Sequence, residues 1–323
     1  MIKVTNNTKD FIEKQCGEIF IYGAGNAGYW VGNYMNRCGV DFSAYFDKKI
    51  NHEEATYNGK PVISIERLKE YKGRSIRIIV TPKCYENVLA DLLWLDHLYE
   101  FHALCLIPRF KHLSTHEEGY HINKLLSYFR GLLFVGTTPT ILCNSCIGGQ
   151  IYDAIDRTLL TPTVNVGIEP RDFLRLCKKP NHYLSIDAEE LHWVRSFGNP
   201  GREYDDLCTR IDDIEVIFAH TDSSEGVLER WNYMRKKVNW DRVIFLLTEQ
   251  PTQDNIPFDV LNTFFSLKGE KLFINNHSFI SGGADYESVY IPNAEWITGR
   301  DSAIENYFDL LGWMNGDYKK YVG

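Results

Sequence analysis

Residues Ile19-Phe20-Ile21-Tyr22-Gly23-Ala24-Gly25-Asn26-Ala27-Gly28 decide the fold. An apolar run ends in Gly-x-Gly-x-x-Gly and passes at once into a helical stretch over 26–38, which is the strand, turn and helix context that this motif requires. There Gly23 permits the tight turn, Gly25 lets a pyrophosphate approach the backbone, and Gly28 lets the helix pack close to the strand. The first amides of the helix would then point at the phosphate. Asp47 closes the next apolar run, where a ribose-binding carboxylate belongs. Gly23, Gly25, Gly28 and Asp47 are therefore the candidate cofactor-binding residues. The residues leave open which nucleotide is held, and a glycine turn that holds no ligand is the competing reading.

Outward from this turn, apolar runs at 19–22, 42–46, 76–80 and 101–107 alternate with helical stretches at 26–38, 64–71 and 84–95. That alternation predicts an α/β fold whose N-terminal part is a Rossmann-like parallel sheet. Pro108 closes the series, and the polar, His-rich stretch that follows predicts a connecting helix, with a domain boundary near 120–130. Domain one is then 1–120 and domain two 121–323. The second half alternates again: apolar runs at 132–135 and 140–143, helices at 172–177, 189–196 and 226–237, and strands at 215–219 and 242–247. It reads as a second α/β domain. Apolar positions 304, 307, 308 and 311 predict an amphipathic helix over 302–313.

A chain of 323 residues can bury a core in each of two such domains. Its 43 acidic against 35 basic residues, a net charge of −8, argue against the broad positive surface that nucleic-acid binding needs. Eight cysteines are scattered through apolar runs, and the N-terminus lacks the layout of a secretory leader, so the expectation is a cytoplasmic protein with reduced thiols. No run approaches the roughly 20 apolar residues of a membrane span, so no integral membrane segment is expected.

Cys143-Asn-Ser-Cys146 is a lone C-x-x-C. Structural zinc would need two further ligands, and no metal site is expected. The more natural reading is a strand-to-helix turn in which Gly148 and Gly149 let a ligand approach, making Asn144, Cys146, Gly148 and Gly149 candidate substrate-binding residues. His97, His102, His112, His116 and His121, with Glu117 and Glu118, read as a solvated linker. His220 follows the strand-like run 216–219, so it falls at the carboxyl end of a strand, where α/β proteins concentrate catalytic groups. Asp213 begins the same strand and Asp222 lies just beyond it. Over 230–241, Trp231 offers a face for a sugar and Arg235 a charge for phosphate, unless Trp231 is simply the buried side of a helix.

Two resemblances add to this reading. The stretches Ile21 to Gly28, Phe46-Asp47 and Asn58-Gly-Lys-Pro-Val62 resemble Rossmann-like domains of bacterial glycan enzymes, which hold a nucleotide-sugar or a dinucleotide. Residues 131 to about 317 resemble the bacterial family called domain of unknown function nineteen-nineteen, whose members are usually labelled exopolysaccharide or capsule biosynthesis proteins. The marks are Cys143 to Gly149, Tyr152, Pro162, Asp172-Phe173, Tyr183-Leu184, Asp213 to His220, Trp231, and Arg235 to Asp241. Ile147 and Ile217 depart from it, standing where the family usually has Trp and a second His.

The resemblance implies the pathway, surface-polysaccharide synthesis, and the first expectation for the reaction is a transferase that uses a nucleotide-activated or phosphate-linked donor and a glycan acceptor. His220 would be general base or phosphate ligand, with Asp172 and Asp213 orienting the acceptor or His220. No convincing Asp-x-Asp metal pair accompanies these residues. A non-catalytic sensor or scaffold that binds a nucleotide or nucleotide-sugar is the alternative. An NAD-dependent oxidoreductase stands third. Nothing in the sequence decides between a monomer and a homo-oligomer.

Overall fold

The computed structural model describes residues 1–14, 16–48, 55–82, 84–107, 123–195, 205–218, 223–249, 256–275, 288–290 and 308–316. Two compact units divide the chain: Met1–Phe134 make up the body of the first, and the second opens at Val135.

In the first unit the strands are β1 (Ile2–Thr5), β2 (Glu18–Tyr22), β3 (Ala44–Phe46), β4 (Thr56–Tyr57), β5 (Lys60–Ile63), β6 (Ser75–Val80) and β7 (His102–Leu106). The helices are α1 (Thr8–Glu13), α2 (Asn26–Arg37), α3 (Tyr85–Tyr99) and α4 (Asn123–Leu133), with a 3-10 helix at Ile65–Tyr71. One sheet runs β1-β7-β6-β2-β3-β5-β4. Its pairs are parallel except the β4–β5 hairpin. After the first residue, β2 and β6 are buried throughout, as expected of parallel strands covered on both faces. From β2 the chain moves outward to β3 and β5, then crosses back to β6 on the other side. This reversal at β2 is the switch point of a doubly wound sheet, and it opens a crevice at the carboxyl ends of β2 and β6.

The alternation predicted from sequence is present, with differences at the edges. Ile2-Lys3-Val4-Thr5 forms edge strand β1, although only two of its residues are aliphatic. Asn58 and Gly59, both at positive φ, turn the β4–β5 hairpin, which the apolar runs did not announce. The stretch Ser64 to Tyr71 closes as a 3-10 rather than an α-helix, with the Ser64 hydroxyl capping Glu66 N–H. Helix α4, predicted as the connecting segment, lies wholly within the first unit.

The second unit has β8 (Thr140–Cys143), β9 (Val166–Gly167), β10 (His192–Arg195), β11 (Asp205–Ile211), β12 (Ile214–Phe218), β13 (Val243–Thr248), β14 (Glu270–Asn275) and β15 (Ser288–Tyr290). Its helices are α5 (Ile147–Ala154), α6 (Pro170–Lys178), α7 (Pro180–Tyr183), α8 (Val227–Met234), α9 (Phe258–Ser266) and α10 (Leu310–Met314), with a 3-10 turn at Arg235–Lys237. A parallel sheet β15-β14-β13-β8 and an antiparallel sheet β10-β11-β12-β9 share one core. That core joins Leu142, Phe245, Leu247 and Phe273 of the first sheet to Leu207, Ile211, Ile214, Val216 and Phe218 of the second.

The antiparallel sheet corrects the purely alternating expectation. Residues 189–195 are not a helix: His192-Trp-Val-Arg195 is β10, where two β-favouring residues pair with β11. The C-terminal helix is described over Leu310–Met314, capped by the Asp309 carboxylate on Gly312 N–H, so the helix predicted over 302–313 is present at 310–313, starts after Asp309, and lies outside the described residues over 302–307.

Candidate functional site

At the end of β2 the chain turns at Gly23, whose φ of +102° is open to glycine at little cost. Gly23 N–H donates to Phe46 O at 2.7 Å, and the Thr81 hydroxyl donates to Tyr22 O at 2.8 Å, so the neighbouring strand ends fix the turn. The three glycines then serve different ends. A side chain at Gly28 would overlap the Gly23 carbonyl, whereas nothing lies within 4 Å of the Cβ position at Gly25. Gly25 is also the N-cap of α2, at an unstrained φ of −91°, and no side chain caps the helix. The open space and the uncapped amides sit together at the switch point.

Asp47 also has a task within the turn. Its Oδ2 accepts the Ala24 N–H at 2.8 Å, so the carboxylate holds the turn itself. Tyr57 leans over the turn, its hydroxyl 3.5 Å from Gly25 O, and packs edge-on against Tyr29 at 5.4 Å and Tyr45 at 5.3 Å. Burial first, then the negative charges of Asp91 and Asp47, hold the Tyr22 phenol well above its ordinary range. Lys48 pairs with Asp91.

In the second unit the Cys143 to Gly149 turn is closed rather than receptive. Asn144 is fully buried and clamps Thr248: its Nδ2 donates to Thr248 O at 3.0 Å, while its Oδ1 accepts Thr248 N–H at 2.8 Å and the Thr248 hydroxyl at 3.1 Å. Added Cβ atoms at Gly148 and Gly149 would press on Cys143 Cβ at 2.9 Å and Val164 Cγ1 at 3.2 Å. These glycines admit neighbouring side chains, not a ligand. Cys146 is half-buried, its thiol pushed up by burial. The substrate-binding expectation for this turn is corrected accordingly.

Trp231 and Arg235 are corrected likewise. Trp231 is 2% exposed and packs edge-on against Phe218 in the core, so it presents no sugar-binding face. Arg235 donates to Leu184 O at 2.9 Å and pairs with Asp187, while Asn232 grips both backbone groups of Ala188. Together they fasten the segment from Leu184 to Ala188.

Asp172 and Asp213 do meet, but at the amino end of β12. Pro170 and Asp172 in its first turn suit α6 to its start, and Asp172 accepts Arg175 Nη1 at 2.7 Å and Glu215 N–H at 3.0 Å. Asp213 accepts the Tyr183 hydroxyl at 2.6 Å, and Arg175 donates to Asp213 O at 3.1 Å. Catalytic use with His220 required the opposite end of the strand. His220 itself, with Asp222, lies outside the described residues, as do His112, His116, His121, Glu117 and Glu118.

The Tyr183 hydrogen bond, helped by Arg175, holds the Asp213 carboxyl below its ordinary range. A depressed carboxyl contributes stability above its unfolded pKa and loses it as pH falls through the folded value. Tyr183→Phe is therefore expected to lower the melting temperature most at neutral pH, with the gap narrowing below the ordinary carboxylate range. A melting series against pH checks this, and a pH-independent gap contradicts it.

The register of the antiparallel sheet brings together a set that sequence reasoning missed. His192 lies opposite Cys208, Cys208 opposite Ile217, and Glu215 two residues before Ile217, so the pleat puts His192, Cys208 and Glu215 on one face. Their donor atoms lie within 4.8 Å of one another. Cys208 Sγ donates to Glu215 Oε1 at 3.0 Å, and His192 Nε2 is 3.6 Å from the same oxygen. Burial, then Glu215, raises the Cys208 thiol far above its ordinary range. Desolvation, then the charges of Asp172 and Glu215, raises the nearby Glu169 carboxyl. No advance signal marked it, since the stretch holding β10 reads as a helix, β11 was not expected, and no short motif links the three.

The fold and these sites define a class: an α/β protein with a dinucleotide-type glycine turn on a doubly wound sheet, followed by a unit that joins a parallel to an antiparallel sheet. The chain belongs to the family described as Domain of unknown function (DUF1919), which it matches over residues 127–321. An uncharacterised protein of Haemophilus influenzae is 24% identical over 182 residues, covering 56% of this chain and 78% of that protein. Among solved structures, a substituted meso-dapdh with DAP from Clostridium tetani E88 aligns at 10% identity over 72% of each chain, with a TM-score of 0.22, too low to carry any argument. No helix among the described residues is long and apolar enough to cross a membrane.

Proposed function

We propose that the first unit binds a nucleotide or nucleotide-sugar through its phosphates at the glycine turn, and that this ligand is the donor of a cytoplasmic transferase of surface-polysaccharide synthesis. The observation that carries the binding half is the open Gly25: at the switch point, an unstrained glycine with empty space over it precedes a helix without a side-chain cap. Phosphate oxygens would accept the first amides of α2, and the Tyr57–Tyr29 pair borders the same turn with aromatic surface for a base or sugar. Asp47 shapes the turn, so recognition of the ribose rests less on it than in a dinucleotide enzyme. For the transferase half the resemblance supplies the pathway, surface-polysaccharide synthesis, and the reaction class is our own proposal.

A thermal-shift panel of NAD, UDP-sugars, CDP-linked donors and CoA tests this reading on the intact chain. One nucleotide class is expected to raise the melting temperature, since linkage gives about 2.7 kcal/mol at a hundredfold excess over Kd. Nucleotide release on adding a glycan acceptor then separates a transferase from a binding module without turnover. A flat panel would remove the reading altogether.

A further inference from the structure

We propose that His192, Cys208 and Glu215 form a binding site for a divalent transition-metal ion of the zinc class. Three adjacent antiparallel strands supply one thiol, one imidazole and one carboxylate to a single face. In a tetrahedral zinc site with bonds of about 2.0–2.3 Å, donor atoms stand about 3.3–3.8 Å apart. Here the sulfur–oxygen and nitrogen–oxygen separations are 3.0 and 3.6 Å and all three donor atoms lie within 4.8 Å of one another, so rotation of the exposed His192 and Glu215 side chains would bring the set to that spacing.

The donor set selects the metal. Thiolate and imidazole favour zinc-like ions over magnesium or calcium, which prefer oxygen alone. Glu169 and Asp172 add negative charge beside Glu215, and Arg210, the cation opposite Glu215 in the ladder, directs its Nε to Asp212 O. Asp172 also holds the Glu215 backbone N–H, which steadies the strand that carries the carboxylate. On binding, the Cys208 S–H bond breaks, its proton leaves to solvent, and the sulfur lone pair forms the bond to the metal, with no change of oxidation state. His192 and Glu215 are both half exposed, so water has access to a fourth position. Three protein ligands with an accessible fourth position is the arrangement of a reactive rather than a purely structural ion.

The test uses the intact, reduced chain with Co2+ as the probe and Zn2+ as competitor. One equivalent of cobalt is expected to give a thiolate-to-metal charge-transfer absorption that zinc abolishes. Cys208→Ser should lose the absorption. Because Cys208 is buried and its replacement can unfold the sheet, the double variant His192→Ala, Glu215→Gln, at exposed positions, carries the decision: it should bind cobalt at least tenfold more weakly. An absent absorption in the parent overturns the proposal. So does equal cobalt affinity in parent and double variant, which would assign the metal to other cysteines.

Discussion

Gly28→Ala is expected to destabilise the first unit by about 3 kcal/mol or more, at the upper end of what overpacking costs, because its methyl would overlap a backbone carbonyl and not a movable side chain. Gly28 is buried at the start of α2, and the carbonyl it faces belongs to Gly23, which is fixed in turn by Phe46 and Thr81. Neither partner can give way without moving the strand ends. For a protein whose net stability is about 5–15 kcal/mol, that loss is a large fraction. Chemical denaturation followed by far-UV circular dichroism reads it, and a loss below about 1 kcal/mol would mean that the turn is looser than described.

Asn144→Ala should cost a comparable amount, about 3–4 kcal/mol, in the second unit. The side chain makes three hydrogen bonds to Thr248, tying the end of β8 to the end of β13 through its backbone and hydroxyl. Alanine leaves a buried N–H and a buried carbonyl without these partners, and each such orphan costs about 1–3 kcal/mol. The same method checks it. Stability close to the parent's, with some other property lost, would return Asn144 to the role of a ligand-binding residue.

How much of this was legible in advance varies with the kind of signal. The centre of the first sheet was readable because β2, β3, β6 and β7 lie in largely apolar runs, broken by helices of ordinary length and by glycines whose spacing has one structural meaning, whereas β1, β4 and β5 are short and mixed in polarity. The antiparallel sheet was harder: β10 is four residues long, and Glu189 to Ser196 carries enough polar residues to pass for a helical face. Motif reading located the Cys143 to Gly149 turn but could not tell a glycine that admits a ligand from one that admits a valine or cysteine side chain. Only the atoms around Gly25 and Gly148 separate those cases. The same holds for Trp231, whose helix has both a buried and a polar side. The His192, Cys208 and Glu215 set depends on strand register, which a single residue's slip would reverse, so no sequence pattern announces it.

The contrast between Gly28 and Gly25 allows the central claim to be tested with little interference from folding. At Gly25 the Cβ position is open and φ is ordinary and extended, so Gly25→Val should melt within a few degrees of the parent while placing a branched side chain where the phosphates would lie. The most direct measurement is calorimetric titration of parent and Gly25→Val with the nucleotide or nucleotide-sugar that stabilises the parent. The account predicts one-to-one binding to the parent and a loss of about a hundredfold or more in the variant, or roughly 2.7 kcal/mol of binding free energy. Equal affinity in the two proteins would contradict it and leave the glycine turn as a packing device alone.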